Sequence, residues 1–181
     1  MTAVAAQDVV AFWRAAGPPK WFRKNADFDR EIREHYLASH EAAAAGHLAE
    51  WEATPEGALA LLILLDQFPR NMFRDSARAF ATDPLARAVA ERALARGFHL
   101  HVPSRERMFF QPPFEHSESL ADQERSLTLS REINGGQIDS YAEAHADIIR
   151  RFGRFPHRNA VLGRATTPQE QAFLHGGGFA G

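Results

Sequence analysis

The chain has 181 residues, a formal charge of −2 and a sequence pI near 6.5, which leaves no cationic footprint for nucleic acid. It contains no cysteine, so disulfides, thiolate catalysis and Cys-ligated zinc are excluded. Apolar residues make up 45% and charged residues 24%, and Ala occurs 32 times against 18 for Val, Ile and Thr together, a balance that reads as globular and mostly helical.

In chain order, Gln7 to Ala16 forms a short amphipathic helix (Val9, Val10, Trp13) closed by Gly17 and the Pro18–Pro19 pair. A second helix is expected from Asp27 to Ala45, ended by Gly46, with a short helical turn around Leu48 and Trp51. Thr54 then caps a third helix that has Pro55 at its first position. Its body from Ala58 to Leu65 is apolar all round, which marks a central core helix, and Pro69 is expected to stop it.

A short helix is expected over Asp75 to Ala81, and Asp83–Pro84 starts another that ends at Gly97. Phe98 to Pro103 alternates, but it is too short and isolated to form a sheet. Ser104 opens a helix broken at Pro112–Pro113, and one long helix is expected from Phe114 to Glu132 before Asn134-Gly135-Gly136. Ile138 to Phe152 is helical up to Gly153, and Thr167-Pro168-Gln169-Glu170 is a capping box for a last helix. The reading is one all-α domain, residues 1–181, of about eight or nine helices, with 175–181 as a loose tail.

The N-terminal stretch has neither the basic n-region nor the long apolar core of a signal peptide. The longest apolar run, from Ala58 to Leu65, is far short of the ~20 residues of a membrane helix. A cytoplasmic protein without membrane insertion is expected.

Three polar clusters stand out. Asp66-Gln67-Phe68-Pro69-Arg70-Asn71 puts charge at the rim of the core. On one reading Arg70 braces Asp66, and Asn71 satisfies carbonyls freed by the proline; on the other, Asp66, Arg70 and Asn71 face a ligand. Pro113-Phe114-Glu115-His116-Ser117-Glu118 sits at a helix start, which explains its acids but not His116. A His beside carboxylates suits general acid or base work, so Glu115 and His116 are catalytic candidates, with Glu118 beside them for binding.

Gly153-Arg154-Phe155-Pro156-His157-Arg158-Asn159, with Leu162-Gly163-Arg164 behind it, looks like an anion-binding corner. Here His157 is a catalytic candidate, and Arg158, Asn159 and Arg164 are ligand-binding candidates. The structural alternative is a loop whose arginines pair with the acidic helix starts. Phe-Pro before a polar group ending in Arg-Asn occurs in both the first and third clusters.

No metal or cofactor is expected. No Glu stands three residues before a His, and Glu143 and His145 diverge on a helix. Glu115 and His116 would point about 100° apart in one helical turn. A metal hydrolase using His116, His157 and Glu115 remains the alternative mechanism. His35, His40, His47 and His175 read as ordinary histidines.

Gly46-His47-Leu48-Ala49-Glu50-Trp51, Leu64-Leu65-Asp66-Gln67-Phe68-Pro69-Arg70-Asn71, Pro113-Phe114-Glu115-His116-Ser117-Glu118 and Arg154-Phe155-Pro156-His157-Arg158-Asn159 to Leu162-Gly163-Arg164 carry a resemblance. Together with Trp21-Phe22 and Ala79-Phe80-Ala81, they make the chain similar to an uncharacterised bacterial family, domain of unknown function 924. That resemblance implies a tetratricopeptide-like arrangement of stacked antiparallel helical hairpins and no particular activity. Two functions follow as expectations. One is a polar cleft for a small anionic molecule, with hydrolase- or lyase-like acid/base chemistry. The other is a scaffold for a peptide or protein partner, anchored by Trp13, Trp21 or Trp51.

Overall fold

The computed structural model describes residues 4–178, and these are all-α. The chain groups into two compact units. One runs through Arg74 and resumes at Arg78–Pro113; the other comprises Asp75–Ala77 and the chain from Phe114 onward. Among the described residues, no helix is long and apolar enough to cross a membrane.

The first unit holds α1 (Ala6–Ala16), α2 (Pro18–Trp21), α3 (Ala26–Ala44), α4 (Pro55–Leu62), α5 (Phe68–Met72) and α6 (Asp83–Ala95). Asn25 caps α3 by accepting from Phe28 N, and Thr54 caps α4 by accepting from Gly57 N. Every residue of α4 from Gly57 onward is buried, as the all-round apolar pattern requires. Phe12, Trp13, Phe28, Tyr36 and Phe68 pack ring against ring, and Trp21 Nε1 donates to the Trp13 carbonyl at 2.7 Å. Trp13 and Trp21 are therefore core residues rather than a surface anchor, and Trp51 is half-buried.

The core helix does not stop at Pro69. It passes through one π turn, Ile63–Gln67, and continues as α5 to Met72. The wider turn lets the chain carry a residue that cannot donate a backbone hydrogen bond. Side chains serve the carbonyls of this turn. His40 Nδ1 lies 2.9 Å from Leu64 O, Thr82 Oγ1 donates to Leu65 O at 2.6 Å, and Arg70 Nη1 donates to Asp66 O at 2.8 Å. Asn71, expected to do this, instead donates to Asp29 Oδ1 at 2.7 Å.

Shorter elements also differ from their expected form. The expected helix over Asp75 to Ala81 is a 3-10 turn at Ala77–Phe80, and Phe98–His101 is a second such turn rather than extended chain.

The second unit contains α8 (Leu120–Ile133), α9 (Ser140–Phe152) and α10 (Pro168–His175), preceded by the short α7 (Pro112–Glu115), whose end enters it at Phe114. The expected long helix from Phe114 is broken: α7 ends at Glu115, and α8 restarts after Ser119, whose side chain accepts from Asp122 N. Leu127 of α8 packs on Ala142 and Ala146 of α9, while Ile148, Ile149 and Phe155 form an adjoining core with Phe152 and Phe173. The Thr167–Glu170 capping box forms as expected.

Of the expected loose tail, His175 is the last residue of α10. Gly178 N donates back to Phe173 O at 3.0 Å, a helix-closing bond. Residues 179–181 lie outside the described residues.

Candidate functional site

Asp66, Arg70 and Asn71 belong to the first unit, where ion pairs hold Asp66 and Arg70 and a hydrogen bond holds Asn71. Arg70 makes two parallel bonds of 2.9 Å to Asp83 and a longer one of 3.3 Å to Asp66, which is 1% exposed. Asp29 receives both Asn71 and the Arg74 guanidinium. This is the geometry of a brace around the π turn.

The second unit gathers a different group. The chain leaves α7 at Glu115, and the buried Gln123 of α8 captures the departing backbone. Its carboxamide donates to Glu115 O at 2.7 Å and to Ser117 O at 2.6 Å. Arg158 Nη1 donates to the His116 carbonyl at 3.0 Å. Held this way, the segment does not follow helical spacing, and Glu115 and His116 face a common place instead of diverging.

His145 of α9 faces the same place. One donor atom from each of Glu115, His116 and His145 lies within 4.8 Å of the others. Glu115 Oε1 is 3.4 Å from His145 Nδ1, and the rings of His116 and His145 are 6.1 Å apart. His145 Nδ1 also lies 2.7 Å from Tyr141 O. A carbonyl can only accept, so Nδ1 carries the hydrogen and, in the neutral ring, the lone pair sits on Nε2.

His157 adjoins this group through Phe155, whose ring lies 5.4 Å from that of His145 and 5.6 Å from that of His157. Burial, then the nearby Arg158 and His145, push His157 down to about 4, so it is neutral at pH 7. Arg158 is buried, and its guanidinium stacks 4.4 Å over Phe155.

The remaining candidates hold the loop together. Arg164 makes two bonds to Glu118, at 2.7 and 3.0 Å, and Glu118 also accepts from Phe155 N at 2.8 Å. Burial pushes Glu118 up, but the hydrogen bonds from Arg164 and Phe155 N and the charges of Arg164 and Arg158 outweigh it and hold it low. Arg154 pairs with Glu170 in the same forked way, and Asn159 donates to Glu170 and Thr166. Arg154 and Arg164 do meet acids near helix starts, as the structural alternative has it, whereas Arg158 donates to the His116 carbonyl. The Phe-Pro echo is one of sequence alone: the first copy is helical, and the second is an extended residue followed by the 3-10 turn Pro156–Arg158.

His145 is the residue that sequence reasoning missed. Its signal was available: it shares the buried stripe of α9 with Ala142, Ala146 and Ile149. Glu143, two residues before it, lies off that stripe, so spacing within α9 alone does not pair His145 with a carboxylate. Recesses elsewhere contain none of this group. One of about 220 Å³ is lined by Arg14, Glu56, Leu59, His101, Val102, Pro103 and Glu106, and a shallow one of about 570 Å³ by Arg151, Phe152, Gln169, Ala172 and Phe173.

Residues 9–178 match the family model described as "Bacterial protein of unknown function (DUF924)". The solved structure of the protein of unknown function ATU0120 from Agrobacterium tumefaciens superposes with a TM-score of 0.90 at 46% identity, covering 94% of this chain and 97% of that one. No curated protein matches. A family match over nearly the whole chain, joined to the same fold at 46% identity, makes this chain a member of the DUF924 family of bacterial proteins.

Proposed function

We propose that the second unit binds a small anionic molecule beside the imidazole–carboxylate group and transfers a proton on it in a hydrolase-type step. The observation that carries this reading is the convergence of Glu115, His116 and His145, with donor atoms within 4.8 Å of one another. Such a group can take and return a proton without large motion. Arg158 supplies the positive charge nearby, and the neutral His157 supplies an acceptor. Glu118, Asn159 and Arg164 act by fixing the loop that carries His157 and Arg158.

The test uses p-nitrophenyl phosphate, which is both anionic and hydrolysable. At about 10 mM it is expected to move the imidazole Cε1–H signals of His116 and His157, but not those of His47 and His175. Release of nitrophenolate should fall about 100-fold in Glu115→Gln. Unmoved signals together with no turnover would end the reading.

A further inference from the structure

The same three side chains have the composition of a metal site. Two imidazoles and one carboxylate form a nitrogen–oxygen donor set that suits zinc and its first-row neighbours, not the all-oxygen shells of calcium or magnesium. Three protein donors with room for a fourth is the pattern of reactive zinc centres. Each donor comes from a different position on the framework. Glu115 is the last residue of α7, His116 lies on the clamped segment after it, and His145 is on the buried face of α9.

The surroundings match those of a ligated histidine. His145 donates Nδ1–H to Tyr141 O at 2.7 Å, which fixes the ring and leaves Nε2 as its metal donor; the Glu115 carboxylate, 3.4 Å from Nδ1, has to turn toward Nε2 to share the ion. A metal-binding histidine is oriented in this way by a carbonyl on its other nitrogen. The His116 backbone is held on both sides, by Arg158 on its own carbonyl and by Gln123 on those of Glu115 and Ser117. Donor atoms within 4.8 Å need to close by about 1 Å onto an ion with bonds of about 2.1 Å. Glu115 and His116 are half-buried and lie next to a non-helical turn, where such a movement is small.

We propose that Glu115, His116 and His145 bind one divalent first-row transition ion, leaving a further position for water or for the anionic molecule. This rests on the same convergence as the acid–base reading and goes beyond it: lone pairs that hold an ion cannot also take a proton, so with the ion bound proton transfer passes to groups beside it. The sequence pointed to no metal and offered His157 as a ligand only in the alternative metal-hydrolase mechanism; here His145 takes that place. His157 and Arg158 then stand beside the ion rather than on it.

The test is direct. The full chain is stripped with a chelator, then titrated with Zn²⁺ by calorimetry and with Co²⁺ by visible absorption. One Zn²⁺ per chain is expected, with a dissociation constant of about 1 µM or tighter, and Co²⁺ should give the intense bands of four- or five-coordination. Glu115→Gln and His145→Asn should weaken Zn²⁺ binding by at least about 100-fold, whereas His47→Ala, at an exposed histidine, should bind as the parent does. If circular dichroism shows that His145→Asn does not fold, His116→Gln takes its place. No stoichiometric Zn²⁺ on the parent chain, or equal binding by Glu115→Gln, would overturn the site. Zinc bound with neither p-nitrophenyl phosphate turnover nor movement of the His116 and His157 signals would defeat the acid–base reading alone. Turnover with no bound zinc would defeat this one alone.

Discussion

His40 Nδ1 lies 2.9 Å from the carbonyl oxygen of Leu64, inside the π turn that carries the core helix past Pro69. Thr82 serves the next carbonyl, Leu65 O, at 2.6 Å. Both carbonyls are buried, so removing either donor leaves an unmet polar group. His40→Ala and Thr82→Val should each lower unfolding stability by about 1–3 kcal/mol, measured by urea denaturation. Burial holds His40 below its ordinary pKa; its bond to Leu64 O opposes this, and Arg78 adds to it. The unfolded chain therefore takes up the proton first. The stability linked to His40 is complete above about pH 6.5 and falls below it. The acid side of the stability profile should be shallower in His40→Ala than in the parent.

Gly57 offers a test in which propensity and packing disagree. On helix propensity alone, Gly57→Ala would stabilise α4 by about 1 kcal/mol. A Cβ built there meets the Trp51 carbonyl oxygen at 2.1 Å, a backbone atom with no rotamer to escape into. The substitution should instead lower stability by about 1–3 kcal/mol, read as a fall in Tm.

Gln123 is a positioning residue for the candidate site. Its amide holds the carbonyls of Glu115 and Ser117 from a fully buried place. Gln123→Leu keeps the bulk but removes both bonds. It should cost about 2 kcal/mol and disperse the Cε1–H signals of His116 and His145, while far-UV circular dichroism stays that of the parent. Unchanged histidine signals would show that the segment holds its form without the clamp.

Glu170 predicts acid behaviour in the second unit. The Arg154 hydrogen bond, then the Thr167 bonds, outweigh burial and draw Glu170 down to about 2. A carboxylate with a lowered folded-state pKa contributes its full stability above the unfolded value. That contribution is lost as pH falls from about 4.5 towards about 2. Glu170→Gln should flatten the stability profile in that window while its amide oxygen still accepts from Thr167 N and keeps the cap; Glu170→Ala should lose both, with faster amide exchange at Thr167.

Much of the fold was legible locally. The Thr54–Pro55 start, the all-round apolar run after it and the Thr167–Glu170 box are decided by neighbours one helical turn apart, and all three stand where periodicity and capping place them. Pro69 misled because its cost is local but its remedy is not. His40 and Thr82, distant in sequence, supply the donors that let the helix continue.

The candidate site divides in the same way. Glu115, His116 and His157 could be named from their types and their place near helix starts and prolines. The sequence by itself therefore determined the helical class, the core helix and the residues worth testing. Only the tertiary structure decided which residues meet. Ending α7 at Glu115 and clamping the chain with Gln123 and Arg158 brings His145 of α9 to Glu115 and His116. Side-chain direction after a helix break depends on long-range hydrogen bonds, which no local periodicity encodes.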